Sequence, residues 1–167
     1  KAAWRAGVER VRAVRHAIGD AIELAVDCHS RMEQSEAILV GQALADCNLF
    51  WYEEPVHHSL PDELAAVTKA VPMPTASAES LFGIEEFRPF FERHVVDVIM
   101  PDVKHAGGLL ESKHIAEAAR INQLLDRVEA ALKKALRIAA TSNELPQGED
   151  AAAAANLCLC YVIGRWQ

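Results

Sequence analysis

Four short apolar runs alternate with helix-like segments over the first 120 residues, and this alternation restricts the fold more than any other feature. From Trp4 to Ile18 the apolar residues Val8, Val11, Val14 and Ile18 recur at helical spacing, and Gly19 follows as a stop. The runs AIELAVD, LFWYEEP, MPTASAE and VVDVIMPD read as strands, the second closed by Pro55. SEAILVGQALADC, with Ser35 placed to cap its start, DELAAVTKA and IEEFRPFFER, which carries Pro89, read as the intervening helices; GLLESKHIAEAAR follows the fourth run. Strands separated in this way build a parallel sheet from βαβ units, with Val26, Tyr52 and Ile99 among the residues expected to face inward.

Past Arg120 the rhythm changes. Ile121, Leu124, Leu125, Val128, Leu132, Ala135 and Leu136 make a helical stripe with no strand after it; TSNELPQGED reads as a loop and AAAAANLCLCYVIG as a second helix. The expected architecture is therefore α/β, with about four parallel strands in residues 1–120 and a helical pair in residues 121–167. A formal charge of -7 and the lack of a Lys/Arg stripe argue against a nucleic-acid surface. Cys28, Cys47, Cys158 and Cys160 follow no zinc-ligand or disulfide-scaffold pattern, which makes the cytoplasm the expected compartment. No apolar run approaches the ~18 residues of a membrane span, and no signal-peptide pattern is visible.

The acids carry the chemistry. Asp27 closes the first run, Glu53 falls near the end of the second and Glu79 closes the third, and each follows the one before by 26 residues. Alone, the stretch ELAVDCHSRM is an ordinary strand end followed by a polar turn. Three acids in this spacing are different. Neighbouring parallel strands lie about 4.8 Å apart, so carboxylates leaving successive C-terminal ends converge, and an oxygen-only donor set suits a hard ion such as Mg²⁺. Ligands also gather at that end of a barrel sheet.

The pieces VDCHSR, WYEEP, TASAES and VIMPDVKHAGG resemble the enolase superfamily, in its mandelate-racemase and acid-sugar dehydratase branch. The resemblance covers roughly residues 1–120 and implies a partial (β/α) TIM-type barrel with Mg²⁺ held by Asp27, Glu53 and Glu79, and Glu54 beside them as a structural acid. It also implies that His29 protonates the hydroxyl leaving a sugar-acid substrate, and that Asp102 is the aspartate of a His-Asp dyad. The chemistry accounts for these residue types. Taking a proton from the carbon next to a carboxylate creates negative charge that a divalent cation stabilises, and an imidazole titrating near neutrality suits the departing hydroxyl.

The chain also departs from the family's pattern. No histidine follows His114, so Asp102 is expected to lack its dyad partner, with Lys104 and His105 the nearby substitutes. The strand that bears a lysine base in some branches, the last barrel strand and the substrate-capping domain have no counterpart among these residues. From Ile121 to Gln167 the sequence instead resembles the C-terminal, dimer-forming helices of the TetR-like nucleoid-occlusion division inhibitor. That implies a chimera and a homodimer.

Two functional classes follow. The chain is a Mg²⁺-binding partial barrel derived from an acid-sugar dehydratase or racemase, without its full activity, or it is a non-catalytic, self-associating module. Other candidates are bland: Gly107-Gly108 permits a tight turn, His57-His58 forms a solvated loop pair, and Arg31 serves a surface ion pair.

Overall fold

The computed structural model describes residues 4–142 and residue 153. The chain divides into two compact units, Lys1–Ala116 and Glu117–Gln167. The first contains α1 (Trp4–Ile18), β1 (Ala25–Asp27), α2 (Gln34–Ala43), a 3-10 turn (Ala45–Cys47), β2 (Trp51–Glu53), α3 (Pro61–Ala70), β3 (Thr75–Ser77), α4 (Gly83–Glu92) and β4 (Val98–Ile99). The last helix, α5 (Leu109–Thr141), contributes its opening turns to the first unit and the rest to the second.

The four strands form one parallel sheet in the order β1-β2-β3-β4, as the alternation predicts. Each is only two or three residues long, shorter than the apolar run that contains it. Asp27 lies opposite Glu53, and Glu53 opposite Ala76. Because strand side chains alternate, Tyr52 and Thr75 share the opposite face. Tyr52 is fully buried there, and its hydroxyl donates to the Ala37 carbonyl of α2 at 3.1 Å. Val26 and Ile99 are only half-buried on the two edge strands.

Local chemistry sets the helix ends. α3 begins with Pro61 in its first turn, where no intrahelical N–H is needed, and Asp62 and Glu63 complement the helix dipole. The N-cap of α2 is Glu33 rather than Ser35, which falls inside the helix; no side chain caps that end. α4 tolerates Pro89 because Phe87, Phe90 and Phe91 bury one face, and tertiary packing outweighs an interior proline's penalty of about 3 kcal/mol. α1 ends where Gly19 takes φ +67°, its N–H donating to Arg15 O at 2.9 Å.

Arg15 is buried, and among the described residues it forms no ion pair with a carboxylate. Its guanidinium donates to four backbone carbonyls, those of Cys47 (2.7 Å), Gly19 (2.7 Å), Ile22 (2.8 Å) and Asn48 (3.0 Å). It thereby joins the end of α1 to the turn before β2. At the entry to β3, the Thr75 N–H (2.8 Å) and hydroxyl (3.1 Å) both donate to Asp97 Oδ2. Thr68 Oγ1 of α3 stands 2.7 Å from the Thr75 hydroxyl and donates to the Val95 carbonyl at 2.8 Å.

At Gly41, α2 packs too closely against Val71 to admit a Cβ. A Cβ there would lie 2.4 Å from Val71 Cγ1 and 3.4 Å from Tyr52 Cε1. Val71 is β-branched and swings poorly, so Gly41→Ala should destabilise the protein by about 1–3 kcal/mol. A lowered urea midpoint is the expected reading; an unchanged one would mean that Val71 yields.

Residues 121–141 continue α5 without interruption, so the structure places no element break at Arg120. The segment from Leu109 to Thr141 contains neither glycine nor proline, and nothing stops the helix. The second member of the expected helical pair, with Cys158 and Cys160, lies outside the described residues. Among the described residues no helix is long and apolar enough to cross a membrane.

Candidate metal centre at the strand ends

Asp27 and Glu53 are the last residues of β1 and β2 and stand in register, on adjacent strands. Glu79 lies two residues beyond the end of β3, past a left-handed Ala78 (φ 86°). Its distance from the strand does not take it out of range: Asp27, Glu79 and Glu54 all act electrostatically on Glu53. Burial pushes the Glu53 carboxyl up, the Trp51 indole pulls it down by hydrogen bonding, and the three neighbouring carboxylates push it up again; the net direction is upward.

The structure thus brings the three acids to one rim without closing them around a point. Among the described residues, no three or more His, Cys, Asp or Glu side chains are grouped so as to hold a metal ion. Two of the acids are instead engaged locally. Asp27 Oδ1 accepts the His29 N–H at 2.8 Å while its Oδ2 lies 3.0 Å from His29 Nδ1, and Glu53 Oε2 accepts the Trp51 indole N–H at 2.9 Å. In donor type the set still fits a hard divalent cation: it is all carboxylate oxygen, and the upward push on Glu53 by its fellow acids is what a bound cation would relieve.

His29 is exposed and sits in the left-handed region, φ 55°. With Nδ1 engaged by Asp27, Nε2 is its remaining nitrogen. Cys28, between the two, is a poor nucleophile: burial pushes its thiol up to about 12, and Asp27 and Glu53 push in the same direction while a Tyr52 hydrogen bond opposes them. Asp102 lies in the loop after β4, where Oδ1 accepts the Lys104 backbone N–H at 2.7 Å and its carbonyl accepts from His105 (3.0 Å) and Ala106 (2.7 Å). It shapes its own turn. Gly107 (φ 106°) and Gly108 (φ 97°) then lead into α5, as a tight turn requires. The His57 and His58 rings lie tilted at 33° with centroids 4.1 Å apart, and His57 Nδ1 lies 2.7 Å from the Ser59 hydroxyl.

Sequence reasoning missed Trp51 and the two serines that hold Glu54. Trp51 was there to be found, since it precedes Glu53 by two residues and therefore shares its strand face. Glu54 is buried. Its carboxylate accepts the Ser30 hydroxyl (2.6 Å), the Ser77 hydroxyl (2.6 Å) and the Ala78 N–H (2.8 Å).

Residues 1–158 match the enolase C-terminal domain-like family. The chain belongs to that family. The match runs past Arg120, through most of the sequence. Among curated relatives of this enolase-like chain, the D-gluconate/D-galactonate dehydratase of Picrophilus torridus is 35% identical over 109 residues, 65% of this chain and 28% of that protein. The D-xylonate dehydratase of Haloferax volcanii is 34% identical over 112 residues, 67% of this chain and 27% of the relative. The L-talarate dehydratase from Polaromonas sp. JS666, solved in complex with Mg and L-glucarate, superposes with a TM-score of 0.70 at 28% identity, covering 74% of this chain and 34% of that one. A racemase from Streptomyces coelicolor with bound magnesium gives a TM-score of 0.71 at 27% identity, covering 74% and 34%. The chain therefore spans about 28% of the length of the curated relatives it matches.

Proposed function

We propose that this enolase-like chain is a Mg²⁺-binding piece of an acid-sugar dehydratase or racemase barrel, with Asp27, Glu53 and Glu79 as the metal ligands. The observation that carries the reading is positional: Asp27 and Glu53 close adjacent parallel strands in register, and Asp27 and Glu79 both lie near enough to raise the Glu53 carboxyl. Relatives whose names describe dehydratases of sugar acids, and solved neighbours that contain magnesium, support the same assignment. A small sugar acid is the substrate class.

Bound at this rim, Mg²⁺ supplies positive charge for the carboxylate of a substrate and for the charge that grows when the adjacent carbon loses a proton. The chain's own residues do the rest. Trp51 fixes one oxygen of Glu53. Asp27 holds the His29 imidazole through Nδ1, which leaves Nε2 to deliver a proton to a departing hydroxyl. Asp102 is the acid of the proposed dyad, yet its carboxylate is engaged by its own loop and no histidine follows His114 within these 167 residues. Metal binding without full turnover is the expected behaviour of this chain alone.

Titrating MgCl₂ into the wild type in a calorimeter should give saturable heat that Asp27→Asn loses. A panel of sugar acids should show no dehydration by the chain. Absence of heat in the wild type removes the metal assignment, and dehydration of any panel member removes the claim of incomplete activity.

A second reading, the self-associating module, is favoured by α5. Ile121 (57% exposed), Leu124 (59%), Val128 (46%) and Ile138 (56%) occupy alternating three- and four-residue steps that Ala131 and Ala135 complete, the spacing of a coiled-coil seam. On this reading, residues 121–167 form the dimerisation element of a homodimer, within a chain whose family match itself runs past Arg120. Light scattering should return twice the chain mass for the wild type and the single mass for Leu124→Lys; a wild-type monomer at every concentration removes this reading.

A further inference from the structure

Glu54 combines features that its place beside Glu53 does not explain. It is 2% exposed, a burial rare for a carboxylate, and its backbone lies in the left-handed region at φ 43°. A non-glycine residue is strained there, because its Cβ crowds the backbone. Six such residues occur among those described, and four belong to one cluster: His29 (φ 55°), Ser30 (φ 56°), Glu54 and Ala78 (φ 86°). The cluster is tied together by Glu54 itself. One carboxylate oxygen takes the Ser30 hydroxyl, the other takes the Ser77 hydroxyl and the Ala78 N–H, and the Glu54 carbonyl takes the Ser30 N–H at 2.7 Å.

These contacts reach the segments that matter. Ser30 follows His29 and lies three residues past Asp27; Ala78 immediately precedes Glu79; Glu54 follows Glu53. A single residue therefore ties together the turns after β1, β2 and β3, bonded to the neighbours of His29 and Glu79 and within three residues of Asp27. Three donors satisfy this one side chain, so the strained turns are fixed rather than sampled.

We propose that Glu54 is a positioning residue: it holds the loops after β1 and β3 in their left-handed conformations and so sets where His29 and Glu79 stand relative to Glu53. The part of this that concerns metal affinity rests on the Mg²⁺ assignment above. A glutamine in its place keeps the volume but presents an amide that cannot accept from all three donors at once.

The test uses the full chain with Glu54→Gln, Ser30→Ala and Ser77→Ala, and follows amide exchange in D₂O alongside MgCl₂ calorimetry. In Glu54→Gln the N–H groups of Ser30 and Ala78 should exchange about tenfold faster relative to that of Tyr52, whose N–H donates to Pro74 O within the sheet. The Mg²⁺ dissociation constant should rise about ten- to a hundredfold. Each serine variant should move both readings less and in the same direction, and the pair decides the matter should Glu54→Gln not fold. Arg15→Met, destabilised away from the rim, should leave the Ser30-to-Tyr52 exchange ratio unchanged. Unaltered exchange at Ser30 and Ala78 overturns the proposal, as does a matching shift in Arg15→Met. Faster exchange in Glu54→Gln with no Mg²⁺ heat in the wild type removes the metal assignment while the positioning role stands; strong Mg²⁺ binding unaffected by Glu54→Gln does the reverse.

Discussion

Arg15→Met should lower the unfolding free energy by about 3–4 kcal/mol, corresponding to a fall of about 10 °C in melting temperature for a chain of this size. The guanidinium satisfies four carbonyls, from Cys47, Gly19, Ile22 and Asn48, and methionine satisfies none. Each buried carbonyl left bare costs about 1–3 kcal/mol, and water entering from the exposed side of the turn recovers part of the total. Arg15→Lys should recover little, because a compact ammonium has three donors and cannot span the fork that the guanidinium fills. The contrast is Arg88→Ala. Its partner Glu85 is exposed one helical turn away, and the urea midpoint should hardly move. A small effect at Arg15 would mean that the turn before β2 is already solvated.

The second large effect is a reversal. Without metal, Glu53→Gln should be more stable than the wild type at neutral pH, by no more than about 1 kcal/mol because the side chain stays partly in water. The sign follows from the direction of its shift. Burial first, and the carboxylates of Asp27, Glu79 and Glu54 after it, raise Glu53 above its ordinary 4.5, so the folded state holds the proton more tightly than the unfolded one. Stability therefore falls as pH rises through the window just above 4.5, and the ionised group is a net burden at pH 7. As the pH is lowered back through that window, the gap between wild type and variant should close. With Mg²⁺ at a hundred times its dissociation constant the order inverts: the wild type gains about 2.7 kcal/mol by mass action, and the variant gains almost nothing. Urea melts at pH 7 with and without MgCl₂ decide it. A metal-free variant less stable than the wild type would show that the rim carries no repulsion worth removing.

Much of the fold was legible because two periodicities are hard to confuse. Apolar steps of three and four placed α1 over Trp4–Ile18, and short β-rich runs placed all four strands in one parallel sheet. Asp27 and Glu53 could be read as strand ends, and their register partnership follows from the sheet. Three features were not legible. The two adjacent glutamates of WYEEP look alike in sequence, and only a left-handed turn after Glu53 sends Glu54 inward while its neighbour stays at the rim. Ser35 is a better cap by type than Glu33, but the helix already begins at Gln34, with the Ala37 N–H donating to the Glu33 carbonyl, and residue type alone does not fix that start. Arg120 marks a change of hydrophobic pattern without a breaker, and a change of pattern alone does not end a helix.

β3 has one further consequence. This three-residue strand, buried throughout, is pinned at its entry by Asp97 and at its exit by Glu54. Such a segment cannot creep along its own axis, which makes it the fixed datum from which the neighbouring turns are measured. Loop lengths elsewhere are then free to drift over generations, or to be redesigned at the bench, while the alignment of the chemistry-bearing edge is inherited unchanged.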